Sequence, residues 1–236
     1  MSTEAGSIAG VSKFTGYQKF VVFVLSFLQF TIILDFMIMS PLGAIMMPAL
    51  HMNPSQFGLV VSAYAFSAGS SGLLAAGFAD RYDRKKLLLF FYTGFVIGTL
   101  LCGLAPTFEF LLVARMITGI FGGVIGSIVF AIITDLFAFE LRGRVMGFVQ
   151  TAFAGSQILG IPVGLYLSNL WGWHMPFFMI VGVSSVVGVV IWRYLKPIDA
   201  HLALQKKSQS AFGHMKATLT KPNYLLAFAT TALLSI

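Results

Sequence analysis

Apolar residues in this chain come in long blocks separated by short polar or charged punctuation. Neither the alternation of a half-buried strand nor the three-to-four spacing of a surface helix organises them. A helix needs about 20 apolar residues to cross hydrocarbon about 30 Å thick. Six blocks meet that length, over 20–48, 56–79, 87–105, 110–138, 145–168 and 176–195, and a seventh begins at 224 and runs to Ile236. The predicted hairpins at 51–55, 106–109 and 169–175 are short, so the helices they join lie antiparallel. The pattern predicts an all-α integral membrane fold: a six-transmembrane-helix bundle plus the start of a seventh helix. A cleaved signal peptide has an apolar core of about 7–15 residues. The first block is longer than that and carries Asp35 near its middle.

Composition narrows the function classes. Of 236 residues, 58% are hydrophobic and 10% charged, against about 25% charged in a soluble domain. That balance argues against a water-soluble enzyme. The net charge of +7 reads as an orientation signal and not as a nucleic-acid footprint, because the cations gather at alternate block ends. Lys13 and Lys19 precede the first block, and Arg81, Arg84, Lys85 and Lys86 follow the second. Arg142 and Arg144 follow the fourth; Arg193, Lys196, Lys206, Lys207, Lys216 and Lys221 follow the sixth. The connections after blocks one, three and five hold no Lys or Arg. By the positive-inside rule the N-terminus and the even-numbered connections are cytoplasmic. Trp171 and Trp173 outside, with Trp192 and Tyr194 inside, suit interfacial aromatic belts. One cysteine, Cys102, and four histidines at span ends or in loops offer no metal-ligand spacing, so neither metal nor cofactor is expected.

Lipid tails are as apolar as Leu, so membrane helices associate through close packing of small residues. The fifth block places Ala152, Ser156, Gly160, Gly164 and Ser168 at every fourth position, and the fourth block does so with Gly119, Gly123, Ser127 and Ala131. Each set predicts a stripe on which a neighbouring helix lies closely. A phosphate-cradling reading of the glycines over 119–126 would need a preceding strand and surrounding water. Pro41 and Pro162 each remove an intrahelical hydrogen bond and are expected to bend their helices.

The connection after the second block reads Ala76-Gly77-Phe78-Ala79-Asp80-Arg81-Tyr82-Asp83-Arg84-Lys85-Lys86. It resembles the signature loop of the major facilitator superfamily: a glycine, three residues, Asp-Arg, any residue, glycine, then two basic residues. Ala76 stands at the leading glycine and Asp83 at the second, a form similar to that of bacterial sugar- and drug-efflux members. Arg115 through Gly119 to Gly123 is similar to the family's arginine-then-glycine motif. Gly155 through Gly160-Ile161-Pro162-Val163-Gly164 resembles the glycine–proline motif of antiporters, with Ile161 between the Gly and Pro and Leu165 at the last glycine. Asp35 to Pro41-Leu42 looks like the first-helix motif.

The resemblance implies the amino-terminal half of a twelve-helix transporter with a 3+3 repeat. Its parts would be a cytoplasmic tail over 1–18, a six-helix domain over 19–196, a cytoplasmic linker over 197–222 and a truncated helix seven over 223–236. The partners implied are a small-molecule substrate and protons, the lipid bilayer, and a missing carboxy-terminal half or a second half-transporter, with no nucleic acid. The cluster of Asp80, Arg81, Arg84, Lys85, Asp135 and Arg142, with Glu140 beside it, would latch the two halves when the outer side is open. The simpler alternative is an orientation signal without gating.

Two ionisable residues fall inside the spans, where each costs roughly 2.5–3.5 kcal/mol on insertion scales unless partnered. Asp35 lies 16 residues beyond Lys19, or about 24 Å along a helix. Arg115 is about five residues into a block running the other way, roughly 8 Å from the outer surface. The two share a depth, and the resemblance puts both on the wall of a central cavity. The pair is therefore expected to face that cavity and to exchange a proton at the carboxylate, since desolvation disfavours the charged form and a guanidinium favours it. A static pair, or Arg115 snorkelling outward past Glu109, are the alternatives. Gln29, Asn53, Tyr64, Gln150 and Gln157 are further cavity candidates, the last two sharing a helix face by their seven-residue spacing.

The element Gly69-Ser70-Ser71-Gly72 also spells that of a rhomboid-type intramembrane protease, but no histidine lies inside a span to activate the serine. The reading that results is proton-coupled efflux of a sugar or drug-like molecule across a bacterial inner membrane. Symport or facilitated uptake, and a half-transporter inactive alone, are the other possibilities.

Overall fold

A computed structural model describes residues 14–199. Most of the expected N-terminal tail, the linker beyond Asp199 and the seventh span lie outside the described residues, as do the side chains at 76, 77 and 80. The described part is helical throughout, with no strand. Eight α-helices run in order: α1 Gly16–Met37, α2 Met39–Ala49, α3 Pro54–Phe78, α4 Arg84–Gly103, α5 Phe108–Leu136, α6 Phe139–Gly155, α7 Ile161–Trp171 and α8 Met175–Tyr194. Six stretches are long and apolar enough to cross a membrane, with α6 and α7 together forming one of 33 residues.

The helix starts follow from side-chain caps. Thr15 and Gln18 form a reciprocal capping box at α1, and Asn53 and Gln56 form another at α3 with Pro54 in the first position. Thr107 accepts from the Phe110 amide at α5. Asp83, the residue standing at a family glycine, accepts from the Lys86 amide at 3.0 Å and so caps α4. Helices continue past the charges that bounded the apolar blocks: α4 begins at Arg84 instead of 87, and α6 at Phe139 instead of 145. Hydropathy marks the hydrocarbon layer, whereas backbone hydrogen bonding carries the helix on into the interface.

The first block is two stacked helices, broken at Ile38. Pro41 has no N–H for the Met37 carbonyl, so the interruption sits one turn ahead of the proline. The fifth block is interrupted likewise, but as a π turn at Ser156–Gly160, which ends two residues before Pro162. Both proline sites are predicted breaks; the π form of the second was not foreseen. Gly172, with φ of 94°, closes α7 in the left-handed region glycine favours.

Both small-residue stripes are helix contacts, which removes the phosphate-cradle alternative. A Cβ on Gly119 would meet the Tyr64 carbonyl and Ser67 hydroxyl of α3, and one on Gly123 would meet the Ala68 backbone. On the other side of the bundle, Gly160 receives Leu34 and Gly164 receives Ile38. The buried apolar residues divide into two clusters. One is centred on Leu25, Leu28, Phe95, Ile128 and Ile191, the other on Ile38, Leu42, Cys102, Leu111 and Phe177. The buried polar side chains Thr31, Thr99, Arg115 and Thr118 fall between them in sequence on α1, α4 and α5, and Asp35 follows Leu34 of the second cluster.

Backbone-to-backbone contact between α3 and α5 makes a sharp test. Gly123→Val is expected to lower stability by about 1–3 kcal/mol through overpacking. Gly126→Val, with nothing within 4 Å of its new Cβ, is expected to change it little. Thermal unfolding in detergent compares the two.

Candidate functional site

The polar layer is built around one ion pair. Arg115 Nη1 donates to Asp35 Oδ2 at 2.6 Å, and both side chains have no solvent exposure. The same nitrogen reaches the Asp35 carbonyl at 3.5 Å, and Thr99 Oγ1 donates to Asp35 Oδ1 at 3.2 Å. Below the guanidinium lies the Tyr64 ring, its centroid 4.2 Å from Arg115 Cζ, and Phe36 stacks against that ring at 5.4 Å. Thr118 Oγ1 donates to its own helix at the Ala114 carbonyl, 2.8 Å away, and stands 3.6 Å from Cys102 Sγ. Arg115 Nε and Nη2 have no hydrogen-bond partner among the described residues.

Local structure sets this geometry. Gly119, one turn along α5 from Arg115, lets α3 come close enough for the Tyr64 ring to cover the guanidinium. The Ile38 break follows Asp35 by less than one turn, and Gly160, at the end of the π turn, packs against Leu34 beside it. Two backbone irregularities thus flank the carboxylate at one level of the bundle.

The sequence brought Asp35 and Arg115 to one depth, and the structure joins them. Their expected cavity-facing position is corrected: both are enclosed among α1, α3, α4 and α5. A charge in hydrocarbon is tolerated when buried against its partner, and the small residues of α5 let the helices close over it. Arg115 turns inward to Asp35 and not outward past Glu109. Asn53 is also corrected, since it caps α3 and does not line a cavity. Tyr64 belongs to the site, as a ring beneath Arg115. Gln150 is exposed, whereas Gln157 is half-buried and reaches Met37 Sδ at 3.7 Å. The π turn that starts between them separates their environments, and Gln29 is half-buried on α1.

Thr99 and Thr118 were not singled out from the sequence. Depth would have found Thr99: it lies 13 residues beyond Lys86, or about 20 Å along a helix, near the level of Asp35. Among the described residues the Ser70–Ser71 pair carries no catalytic geometry: Ser71 donates back to the Ala68 carbonyl at 3.1 Å, while His51 and His174 lie in loops.

A second polar cluster occupies the end where the cations gather. Arg84 is buried; its Nε donates to Asp135 Oδ2 at 3.0 Å and its Nη1 to the Ala79 carbonyl at 2.8 Å. Arg142 binds the carbonyls of Thr134 and Phe137 at the end of α5, and not Glu140. Lys85 Nζ donates to the Trp192 carbonyl, and Arg81 is exposed. The segment after α8 folds across this end. The Arg84 amide donates to the Ile198 carbonyl, the Lys196 amide to the Tyr17 hydroxyl, and Leu195 and Ile198 are buried.

The model of the Major Facilitator Superfamily matches residues 25–236. The chain belongs to that superfamily. Among superfamily relatives, multidrug resistance protein 3 of Bacillus subtilis is 34% identical over 62% of this chain and 28% of its own length. A probable sugar efflux transporter of Helicobacter pylori (strain G27) is 25% identical over 79% of this chain and 49% of its own. The inward-open xylose transporter XylE from E. coli aligns over 89% of this chain and 54% of its own, with a TM-score of 0.70 at 16% identity, a likeness of fold. The chain spans less than half the length of these two curated relatives. Superfamily members are transporters and not enzymes, and the six apolar helices make the chain a multi-pass membrane protein.

Breaking the pair should cost more than deleting it. Arg115→Met strands a buried carboxylate and is expected to lose about 3–5 kcal/mol of stability. Asp35→Leu combined with Arg115→Met is expected to recover most of that loss, as read by unfolding in detergent.

Proposed function

We propose that the chain forms one half of a proton-coupled small-molecule exporter in a bacterial inner membrane, with its N-terminus cytoplasmic. The observation that carries this reading is the dry Asp35–Arg115 pair at mid-bundle, in a chain of a transporter family. The relatives named for multidrug resistance and sugar efflux support export of a sugar or drug-like molecule. Orientation rests on the described cations: Lys19, Arg84, Lys85, Lys86, Arg142, Arg144, Arg193 and Lys196 lie at one end, and the connections at the other end hold no Lys or Arg. The opposed wall would come from a second half.

Asp35 is the proton acceptor. Its two oxygens are held by Arg115 and Thr99, so taking up a proton removes the charge that Arg115 is paired with. The guanidinium then keeps only the Asp35 carbonyl and the Tyr64 ring. A buried cation left in that state is unstable, and the strain is relieved by movement of α1 at the Ile38 break and of α7 at the π turn. Proton loss to the cytoplasm restores the pair. At the inner end, Arg84 and Asp135 hold the signature loop against α5 and act as the latch.

Gradient-driven efflux by the complete transporter in vesicles tests the relay. Wild type is expected to pump faster as the proton gradient steepens. Asp35→Asn should pump no faster than wild type with the gradient collapsed, and gradient-driven pumping by this variant sinks the relay. Asp135→Asn is expected to insert normally and yet slow transport; an unchanged rate leaves the cluster a topology signal only.

A further inference from the structure

A groove of about 440 Å³ lies between α1 and α6, within the range that small molecules occupy. Lys19 and Arg144 mark its interfacial end. From there Phe23, Phe27 and Phe30 climb α1 as a ladder, with successive ring centroids 4.8 Å and 6.2 Å apart, and Phe148 of α6 lines the same groove as the first two. Among the described residues Phe23 is 62% exposed, Phe148 49% and Phe27 38%, so the rings present open surface. The hydroxyls of the lining are engaged: Ser26 Oγ donates to the Val22 carbonyl at 2.9 Å and Thr151 Oγ1 to the Phe148 carbonyl at 2.6 Å. Phe27 precedes Asp35 by eight residues, about 2.2 turns, so it leaves α1 roughly 80° around from the buried pair. One side of α1 thus carries the pair and another carries the ladder. Beside the groove, Gln150 and Thr151 are exposed on α6. Gln150 lies six residues beyond Arg144, or about 9 Å further into the span. An unpartnered amide is costly in hydrocarbon, so this side of α6 turns to water or protein and not to lipid tails.

Resting on the reading of the chain as half of a transporter, we propose that this groove is a substrate wall and that it takes a planar aromatic molecule and not a sugar. Aromatic rings attract one another at centroid distances of about 4.5–7 Å, in offset or edge-on arrangements. The α1 ladder already keeps that spacing, so a ring entering the groove extends a stack the protein has begun. Phe148 supplies a second contact from α6. A sugar brings several hydroxyls, and each loses free energy if it is desolvated without a partner. The two hydroxyl protons of this lining are already given to backbone carbonyls, so the wall has little to offer them. The ladder selects for flat apolar surface, and the exposed amide beside it keeps the approach wet.

The test compares 2-naphthol with decahydro-2-naphthol, which keeps the carbon skeleton and the hydroxyl but is neither flat nor aromatic, and with D-glucose. All three are uncharged, so Lys19 and Arg144 do not sort them. Binding to the complete transporter in lipid nanodiscs is read by equilibrium dialysis without a gradient, with uptake by empty nanodiscs subtracted. The expected result is 2-naphthol bound about fivefold or more tightly than its saturated analogue, and D-glucose not retained. Phe23→Leu and Phe27→Leu are each expected to weaken 2-naphthol about three- to tenfold, while Phe27→Tyr keeps it. Phe66→Leu, at an exposed ring on α3, leaves it unchanged. Equal binding of the two bicyclic alcohols, retention of D-glucose, or a preference that survives the double Leu substitution overturns the proposal. A second measurement places the wall: Phe27→Trp adds emission that aqueous acrylamide should quench and brominated acyl chains should not. Quenching by the chains, or shielding from both as when the second half covers the groove, also overturns it. Loss of proton-driven pumping with the ring preference intact refutes the coupling reading alone.

Discussion

The structure is organised around the requirement that Asp35 and Arg115 stay together. Moving an isolated ion from water into a low-dielectric interior costs several kcal/mol even after relaxation. Neither charge can be held in this bundle without the other. At full burial the pair makes one short charge-assisted hydrogen bond, with Thr99 on the second carboxylate oxygen and the Tyr64 ring on the guanidinium face. These contacts come from four different helices, so the pair fixes the relative depth of α1, α3, α4 and α5. The apolar clusters on either side fill space, and the polar layer sets which residues face each other across it.

Glycine makes that enclosure possible. With no hydrophobic force between helices in lipid, close approach supplies the attraction. Gly119 and Gly123 bring the α5 backbone against α3, and Gly160 and Gly164 make room for the side chains of Leu34 and Ile38. The same contacts locate the flexible points. The Ile38 break and the π turn face each other through Leu34 and Gly160, beside the carboxylate. The proposed change in the charge of Asp35 would therefore act where two helices already depart from regular hydrogen bonding.

Much of this was legible in the residues, because the bilayer imposes a coarse rule that single sequences obey. Block length gave the six spans, alternating cations gave a proposed orientation, and four-residue spacing gave the packing stripes. Depth arithmetic alone brought Asp35 and Arg115 to one level. What it could not supply was rotation about each helix axis. Sequence depth does not say whether Arg115 points to a cavity or to Asp35 behind Tyr64, and the expected cavity wall was misplaced for that reason. Asn53 misled similarly, because a polar residue beside an apolar block serves equally as a cap. The π turn escaped because proline announces a missing hydrogen bond without saying how the backbone will redistribute the rest.

The two ion pairs are not equivalent, and the difference bears on what each does. Arg84 is buried against Asp135 but also holds the Ala79 carbonyl through a second nitrogen, and its amide is tied to the returning segment at Ile198. Arg115 engages one nitrogen and leaves Nε and Nη2 without acceptors among the described residues. An unmet buried donor costs about 1–3 kcal/mol, and apolar residues of similar volume would often serve stability as well or better. The inner pair is well bonded in the state described here, which suits the latch proposed for it. The central pair is under-satisfied in the same state, and the proposed proton-dependent rearrangement would draw on that deficit. A site held at an energetic disadvantage changes partners when its charge changes, whereas a fully bonded one resists.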